Sequence, residues 1–391
     1  MTPFDDLATT LLALARRRLY RRRRVQEAPA GREAVVDGRR LLGFCSNDYL
    51  GLAADPRVIA ACHAGIDRWG VGSGASHLVS GHTAAHQQLE EALAEFTKRP
   101  RVLLFGSGYA ANQGTIKALL AATDEVYEDR LNHASLLDGG WLSRAQFRWF
   151  EHGDVVDLET QLAAGGHGRQ RRLIVSDGTF SMDGDLCPLP GLVAAAERHR
   201  TWLMIDDAHG MGVHGRDGCG VVDPAVHGTA QVPVLVGTLG KAFGTAGAFV
   251  AGEEALIETL IQRARHYIYT TAMPAALAVA TLESVRIARE EEWRRERLRA
   301  LIARFRGGAG QLGLRLLPSD TPIQPLVVGG SAAALAASAA LEEQGFLVPA
   351  IRPPTVPAGT ARLRITFSAL HLPGDVDRLL EALQSVVPVE P

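Results

Sequence analysis

Short apolar segments alternate with longer amphipathic segments between residues 46 and 285. The apolar segments have the length of strands, and the amphipathic segments have the spacing of helices that cover a sheet. This alternation predicts an α/β domain with a mostly parallel sheet. The strand candidates are residues 102–105, 125–127, 147–150, 173–176, 202–205 and 234–236.

The two ends of the chain have a different pattern. Residues 7–24 have the spacing of an amphipathic, arginine-rich helix, and Asp37-Gly38 separates two alternating segments, which indicates a β-hairpin. The C-terminal part contains a charged helix, an alanine-rich helix and short strands, which predicts a smaller α+β domain. We therefore divide the chain into an N-terminal helix and hairpin segment (1–45), a large domain (46–285) and a C-terminal α+β domain (286–391).

Composition narrows the class of protein. The 391 residues include 41 basic and 43 acidic side chains, and a net charge of -2 gives no general reason to bind nucleic acid or an anionic membrane. No apolar run approaches the ~20 residues of a membrane span. The four cysteines lie far apart, so neither a disulfide framework nor a metal site is expected. We expect a soluble, cytoplasmic protein with no nucleic-acid, membrane or metal partner.

Seven arginines stand within the nine positions 16–24. Such a cluster is compatible with a solvated helix face, with a nucleic-acid arm, or with a site for the carboxylates and phosphates of a substrate. The residues alone leave these alternatives open.

Side chains that could take part in catalysis lie at the ends of the predicted strands. Lys241 lies in a glycine-rich run after residues 234–236, and Asp206 ends the apolar segment 202–205. Small neighbours allow a lysine amine to approach a flat cofactor, and a buried carboxylate can keep a pyridine nitrogen protonated. Ligands in α/β sheets bind at the carboxyl ends of the strands, where both residues fall. The pair predicts a site for pyridoxal 5'-phosphate.

Other side chains add to this prediction. Gly106-Ser107-Gly108 follows a strand and opens a helix, whose free backbone amides suit a phosphate. Thr238 offers a hydroxyl to the same group. His209 is placed to reach the cofactor's phenolic oxygen, and His133 to stack on its ring, although an isolated histidine is more often a core or loop residue.

Six segments together resemble the α-oxoamine synthases, which are fold-type I pyridoxal phosphate enzymes that condense an amino acid with an acyl thioester and release carbon dioxide. The match covers nearly the whole chain, and it implies a large domain with a seven-stranded sheet. The segments are Ser46–Leu52, Gly106–Asn112, Asp129–Ser135, Phe180–Asp185, Asp206–Gly210 and Thr238–Lys241.

The stretches Gly72–Gly81 and Ala350–Arg364 resemble the branch of this family that acts in biotin biosynthesis. Family members that use glycine or serine typically carry an arginine in the first stretch, where this chain has His77-Leu78. The resemblance thus implies condensation of L-alanine with a pimeloyl thioester, either pimeloyl-CoA or pimeloyl-acyl carrier protein, to give 8-amino-7-oxononanoate. A related synthase with another amino acid or acyl thioester is the alternative.

The resemblance also implies roles for individual residues. Lys241 resembles the Schiff-base lysine and the proton-transfer base, Asp206 the pyridinium partner, and His209 the phenolic-oxygen partner. His133 resembles the ring-stacking residue and also falls at a substrate position. Further cofactor contacts are implied for Gly108, Tyr109, Ser181, Thr238, Thr270 and Thr271, and substrate contacts for Arg21, Asn47, Thr355 and Arg364.

Two further expectations follow from the same resemblance. Thr270 and Thr271 match residues that reach the phosphate of a neighbouring subunit, which implies a homodimer with shared active sites. Asp177 stands where some family members have glutamate, so no contact is assigned to it.

Overall fold

A computed structural model describes residues 4–166 and 171–387. Within these residues the strands are β1 (Glu33–Val36), β2 (Arg39–Gly43), β3 (Arg101–Phe105), β4 (Glu125–Asp129), β5 (Gln146–Phe150), β6 (Arg172–Asp177), β7 (Trp202–Asp206), β8 (Val234–Thr238), β9 (Ala248–Gly252), β10 (Ile323–Gly329), β11 (Phe346–Leu347), β12 (Ala350–Ile351) and β13 (Ala361–Thr366). The α-helices are α1 (Asp5–Arg16), α2 (Pro56–Trp69), α3 (Ala84–Thr97), α4 (Gly108–Leu119), α5 (Ala134–Ser143), α6 (Val155–Ala164), α7 (Leu189–His199), α8 (Glu254–Arg263), α9 (Arg265–Ile268), α10 (Ala275–Glu290), α11 (Glu292–Gln311), α12 (Ser331–Glu343) and α13 (Pro373–Val386). Residues His77–Gly81 form a π-helix, and Arg216–Gly218 a 3-10 turn.

The chain divides into two compact units. The terminal unit comprises Met1–Asn47, Met182–Gly184 and Arg297–Pro391, and the sheet unit comprises Asp48–Ser181 and Asp185–Glu296. The predicted division at residues 45 and 285 stays a prediction.

The sheet unit is built on seven strands in the order β3-β9-β8-β7-β6-β4-β5. Strands β8, β7, β6, β4 and β5 pair in parallel, and β9 pairs antiparallel with both β8 and β3. All six strand candidates lie in this sheet, and β9 was not among the predicted strands. The predicted α/β class with a mostly parallel, seven-stranded sheet is confirmed.

Apolar side chains hold this sheet between its helices. Leu103, Val126, Val175, Met204 and Val250 are at most 1% exposed and belong to one core cluster. A strand with helices on both faces reads as a continuous apolar run, which is the pattern seen in the sequence. No helix among the described residues combines the length and apolar composition needed to cross a membrane.

The terminal unit contains two three-stranded sheets, ordered β1-β2-β11 and β10-β13-β12. The predicted hairpin is present: Asp37 and Gly38 have φ of 51° and 75°, as a type I' turn requires. The predicted helix 7–24 is too long, because α1 ends at Arg16 and Arg18 is left-handed with φ of 57°. Arginines three and four positions apart would repel one another on a continuing helix, so the cluster continues as irregular chain.

Candidate active site

Four acidic or hydroxyl residues end neighbouring parallel strands of the sheet unit. Asp129 ends β4, Asp177 ends β6, Asp206 ends β7 and Thr238 ends β8. Asp177 and Asp206 are register partners across the β6–β7 pair. Parallel strands bring their carboxyl ends to one edge, which is where sheets of this kind bind ligands.

Asp206 is held by donors on two sides. Its Oδ1 accepts from the Ala208 backbone N–H at 2.9 Å, and its Oδ2 accepts from Asn112 Nδ2 at 2.6 Å. Asn112 lies on α4 and also donates to Ser135 Oγ at 2.8 Å, while its own Oδ1 has no hydrogen-bond partner. The carboxylate is therefore fixed in orientation before any ligand binds.

Two further aspartates are buried beside Asp206. Burial raises the pKa of Asp177 well above its usual range, and the Asp206 charge adds to the effect. Burial likewise raises the pKa of Asp207, against hydrogen bonds from backbone amides. Like charges in a dry site disfavour one another, so Asp177 and Asp207 favour their neutral forms.

His133 caps the N-terminus of α5. Its Nδ1 accepts from Ser135 N at 3.3 Å and lies 2.7 Å from Ser135 Oγ, which leaves the proton on Nε2. Burial lowers the pKa of His133, Asp206 opposes this, and the Lys241 charge adds to the lowering. A neutral imidazole suits stacking on an aromatic ring. The His133 backbone N–H donates to Asp177 Oδ2 at 2.6 Å, so Asp177 does have a contact in the site.

His209 is paired with a tyrosine from another part of the chain. Its Nδ1 lies 2.6 Å from the hydroxyl of Tyr49, and both side chains are buried. Tyr49 belongs to the motif Ser46–Leu52 but received no role from the sequence. The Tyr49 hydroxyl restricts the rotation of the His209 imidazole ring.

Lys241 lies on the tight turn between β8 and β9. Gly244 N donates to Lys241 O at 2.9 Å, and Thr245 N to Leu239 O at 2.9 Å. Gly244 has φ of 65°, and a Cβ there would lie 2.3 Å from Ala53 N, so only glycine fits. Gly244 therefore fixes the turn that presents the lysine.

The N-terminus of α4 forms the candidate phosphate end. Ser107 caps the helix by accepting from Ala110 N at 3.2 Å, and a Cβ on Gly106 or Gly108 would meet only open space. Helix amides and the positive end of the dipole suit a phosphate. Tyr109 is tethered through its hydroxyl to Asp138.

Thr238 and Ser181 complete the predicted cofactor set within the sheet unit. Thr238 Oγ1 donates to Gly247 O at 3.1 Å, so its hydroxyl would have to rotate to donate to a phosphate. Ser181 is half-buried on the loop after β6. Both roles stay predictions.

Thr270 and Thr271 are exposed at the surface of the sheet unit. Thr271 forms an antiparallel bridge with Ser76, and Ala272 N donates to Ala75 O at 3.0 Å, next to the π-helix. An exposed position is compatible with the expected contact to a neighbouring subunit, which stays a prediction.

The predicted substrate residues other than His133 lie in the terminal unit. Arg364 on β13 is buried and donates through Nη1 and Nη2 to Asn47 Oδ1, at 3.3 and 3.2 Å. This contact holds the guanidinium fork of Arg364 in place, as recognition of a carboxylate requires. Thr355 and Arg21 are both exposed in this unit.

The donor set of the sheet unit fits a flat, phosphorylated pyridine. It offers an amine at Lys241, an oriented carboxylate at Asp206, a neutral ring at His133 and helix amides at Gly108. The unpartnered Oδ1 of Asn112 adds a polar atom that a ligand or a bound water can satisfy. The residues present therefore match pyridoxal phosphate in the kinds of polar group that they offer.

Comparison with known proteins agrees with this chemistry. The profile of the family described as aminotransferase class I and II matches residues 39–383. An 8-amino-7-oxononanoate synthase from Thioalkalivibrio sulfidiphilus is 60% identical over 97% of this chain and 96% of its own length. Another from Nitrosococcus oceani is 61% identical over 94% and 97%.

Solved structures of related enzymes have a similar fold. A serine palmitoyltransferase from S. paucimobilis with a bound PLP–myriocin aldimine aligns with a TM-score of 0.92 and 30% identity, covering 98% of this chain and 97% of that one. An 8-amino-7-oxononanoate synthase from Francisella tularensis aligns with a TM-score of 0.78 and 30% identity, covering 88% and 97%. The chain therefore belongs to the aminotransferase class I and II family, among relatives named 8-amino-7-oxononanoate synthase.

Proposed function

We propose that this protein is an acyltransferase of biotin biosynthesis that condenses L-alanine with a pimeloyl thioester, releasing carbon dioxide and the thiol carrier and forming 8-amino-7-oxononanoate. The observation that carries this proposal is the 58–61% identity, over at least 94% of the chain, to proteins named for that product. The arrangement of Lys241, Asp206, His133 and His209 in the sheet unit supplies the chemistry that such a reaction needs.

Pyridoxal phosphate is the cofactor, and when bound it supplies an electron sink for the carbanion left by removal of the amino acid's α-proton. Lys241 anchors it through the amine and then moves the α-proton on its Nζ. Asp206 would pair with the pyridine nitrogen and favour its protonated form, since its carboxylate is oriented by the Asn112 amide. His209 binds the phenolic oxygen, with its ring fixed by Tyr49.

Lys241 lies close enough to two groups at the strand ends to interact with them electrostatically. The Lys241 charge acts on both His133 and Asp177, which places the amine among the groups at the strand ends. His133 is neutral and therefore neither repels the amine nor competes for the proton. Its face remains available to pack against the ring and exclude water.

Arg364 and Asn47 bind the carboxylate of the amino acid. A guanidinium that is buried and pre-oriented loses little freedom on binding, which favours recognition of a planar carboxylate. We assign Arg21 and Thr355 to the acyl substrate, and the carrier is either CoA or acyl carrier protein.

Serine is the competing amino acid, because the TM-score to serine palmitoyltransferase exceeds that to the Francisella tularensis synthase. A TM-score compares backbones, and a backbone does not select the amino acid. Sequence identity compares side chains, and it is about 60% to the Thioalkalivibrio sulfidiphilus 8-amino-7-oxononanoate synthase but 30% to serine palmitoyltransferase. His77 also favours alanine. It is buried against Tyr267, and burial, followed by the charges of His86 and His82, lowers its pKa to about 3. His77 is therefore neutral and offers no positive charge to the hydroxyl group that distinguishes serine from alanine.

We further propose a homodimer with shared active sites, in which Thr270 and Thr271 contact the phosphate held by the neighbouring subunit. Exposed apolar side chains beside these threonines support it, since Leu78, Val79 and Tyr269 are 51%, 78% and 69% exposed. Apolar patches of this kind mark protein interfaces. Sedimentation of the purified protein with and without Val79→Glu tests this: a monomeric wild-type protein contradicts the proposal.

The function is tested by thiol release from pimeloyl-CoA and pimeloyl-acyl carrier protein with L-alanine, glycine or L-serine. Alanine is expected to give the highest kcat/KM, with 8-amino-7-oxononanoate identified by mass. Lys241→Ala should abolish both turnover and the visible absorbance of the bound cofactor, whereas Lys98→Ala, on the exposed end of α3, should leave both unchanged. A preference for serine or glycine refutes the assigned substrate, and a protein that binds no pyridoxal phosphate refutes the whole proposal.

A further inference from the structure

His152 bridges two carboxylates beside the candidate active site, in the loop after β5. Its Nδ1 lies 3.0 Å from Asp129 Oδ1, and its Nε2 lies 2.9 Å from Asp185 Oδ2. The ring packs edge-on to Phe180, with a centroid distance of 4.4 Å and an interplanar angle of 85°. The imidazole is thus held on three sides.

Both ring nitrogens face acceptors, so the geometry demands a donor at each. Only the imidazolium has two N–H groups. Burial disfavours that charge, but hydrogen bonds to Asp129 and Asp185, together with their charges, raise the pKa of His152 to about 10. His152 is therefore a cation at neutral pH, held between two anions.

The two carboxylates belong to different loops of the sheet unit. Asp129 ends β4 and opens the loop to His133: its Oδ1 accepts from Leu131 N at 2.8 Å. Asp185 closes the turn that contains Ser181, because its backbone oxygen accepts from Phe180 N at 2.9 Å. Each loop carries one residue that we assign to the cofactor.

Asp129 also ties down the loop of His152 itself, since its Oδ2 accepts from Gly153 N at 2.8 Å. The carboxylate is 1% exposed. Three loops, after β4, β5 and β6, thus meet at one imidazolium. Without it, two aspartates would face each other across a gap and repel one another.

We propose that His152 is a positioning residue for the cofactor site, which sets the loop of Ser181 against the loop of His133. The inference rests on the proposed function, because it takes Ser181 and His133 as cofactor contacts. It assigns His152 no contact with cofactor or substrate and no proton transfer.

The alternative is an ion pair that stabilises the fold and nothing else. The two roles differ in what a substitution changes. A stabilising pair lowers the melting temperature and leaves cofactor affinity and kcat intact in the folded protein. A positioning residue changes cofactor affinity at temperatures where the protein remains folded.

The test uses His152→Gln, Asp185→Asn and the double variant, with His199→Gln as the matched control. His199 is also partly buried but lies at the end of α7, before the start of β7. Apoprotein of each is titrated with pyridoxal phosphate and followed by absorbance, and amide hydrogen exchange of the unloaded protein is measured over segments 129–137 and 178–187.

His152→Gln is expected to raise the cofactor dissociation constant by on the order of 10- to 100-fold, the usual effect of losing charge-assisted hydrogen bonds. Exchange should rise in both segments. Asp185→Asn should act in the same direction but only on 178–187, and the double variant should be no worse than His152→Gln, because the two changes remove one interaction. With L-alanine, kcat should fall more than KM rises.

Unchanged affinity and unchanged exchange in 178–187, with only a lower melting temperature, would overturn the inference. If His152→Gln does not fold, Asp185→Asn decides by the same two measurements, since His152 then keeps its pair with Asp129. Failure of the wild-type protein and of His199→Gln to bind pyridoxal phosphate would instead count against the proposed function, and the exchange data would still report on the loops.

Discussion

Replacing Asp206 by asparagine separates charge from shape in the candidate site. The change keeps the volume of the side chain and removes its negative charge. The fold can adapt, because Asn112 Oδ1 has no partner and the Asn112 amide can turn to present that oxygen to the new side chain. Ser135 Oγ would then turn its one proton from His133 Nδ1 to Asn112 Oδ1, and His133 Nδ1 would keep the donor Ser135 N. Stability should therefore change little.

The loss of activity follows from the burial of Asp206, which is 5% exposed. Breaking a buried ion pair costs about 3–5 kcal/mol. Each 1.36 kcal/mol is a factor of ten in rate, so kcat/KM for L-alanine should fall roughly 150- to 5,000-fold. Most of the loss should be in kcat, because the protonated ring nitrogen matters most when the carbanion forms.

The assay compares kcat/KM, the visible spectrum and the melting temperature of Asp206→Asn with those of Asp207→Asn. Asp207 is a matched control: it is the next residue, fully buried, and favours its neutral form because burial raises its pKa. Its asparagine variant should keep kcat/KM within a few-fold. The reasoning fails if Asp206→Asn, with cofactor bound, retains more than about a tenth of the wild-type kcat/KM, or if Asp207→Asn loses as much.

Three other substitutions test separate parts of the site. Arg364→Lys keeps the charge but loses the fork held by Asn47, so KM for L-alanine should rise on the order of 10-fold; an unchanged KM contradicts carboxylate binding there. Tyr49→Phe removes the hydroxyl 2.6 Å from His209 Nδ1 and should shift the pH titration of the bound cofactor's absorbance, whereas superimposable titrations would remove His209 from the site. Burial raises the pKa of Glu128 from 4.5 to about 8, so the fold holds it neutral and loses stability as pH rises from about 4.5 to 8. Glu128→Gln should thus gain melting temperature over wild type between pH 5 and pH 8, and a constant difference would refute this.

The sheet could be predicted where a strand contains a run of apolar or aromatic residues. Strands β3, β6, β7 and β8 are mostly apolar, and β4 and β5 combine charged residues with valine or aromatic residues. The missed strand β9 is as long as most of its neighbours, but it contains two alanines, follows Gly247 and ends at Gly252, so it has neither a period nor a run of branched residues. Its pairing with β8 and β3 stabilises it, and pairing across the sheet leaves no local pattern.

The helix 7–24 was wrong for a different reason. Arginine is a good helix former, and no glycine or proline interrupts this segment. The repulsion that ends α1 at Arg16 depends on seven charges taken together. Arg24 contacts Glu342 and Asp37, so its position follows from tertiary contacts of the terminal unit rather than from helix propensity.

The sequence predicts the side chains of the candidate site that carry its chemistry, but it does not predict the residues that orient them. The motifs and the side-chain chemistry together predict roles for Lys241, Asp206 and His133. Asn112 and Tyr49 stand in the same kinds of motif, yet their partners lie 94 and 160 residues away. A pattern along the chain gives no such pairing, so their positioning roles appear only in three dimensions.

Asp177 shows most directly why a side chain alone misleads. Its carboxylate is one methylene shorter than the glutamate of some relatives, which argued against a contact. Its partner, however, is the backbone N–H of His133, at 2.6 Å, and Asn132 Oδ1 in turn accepts from Asp177 N at 3.0 Å. The two loops are therefore crosslinked through the backbone, and the short side chain suffices because the β4–α5 loop approaches β6 closely. Asn132 also donates to Glu128 Oε2 at 3.1 Å, so the position of the His133 loop depends on a connected set of buried polar groups.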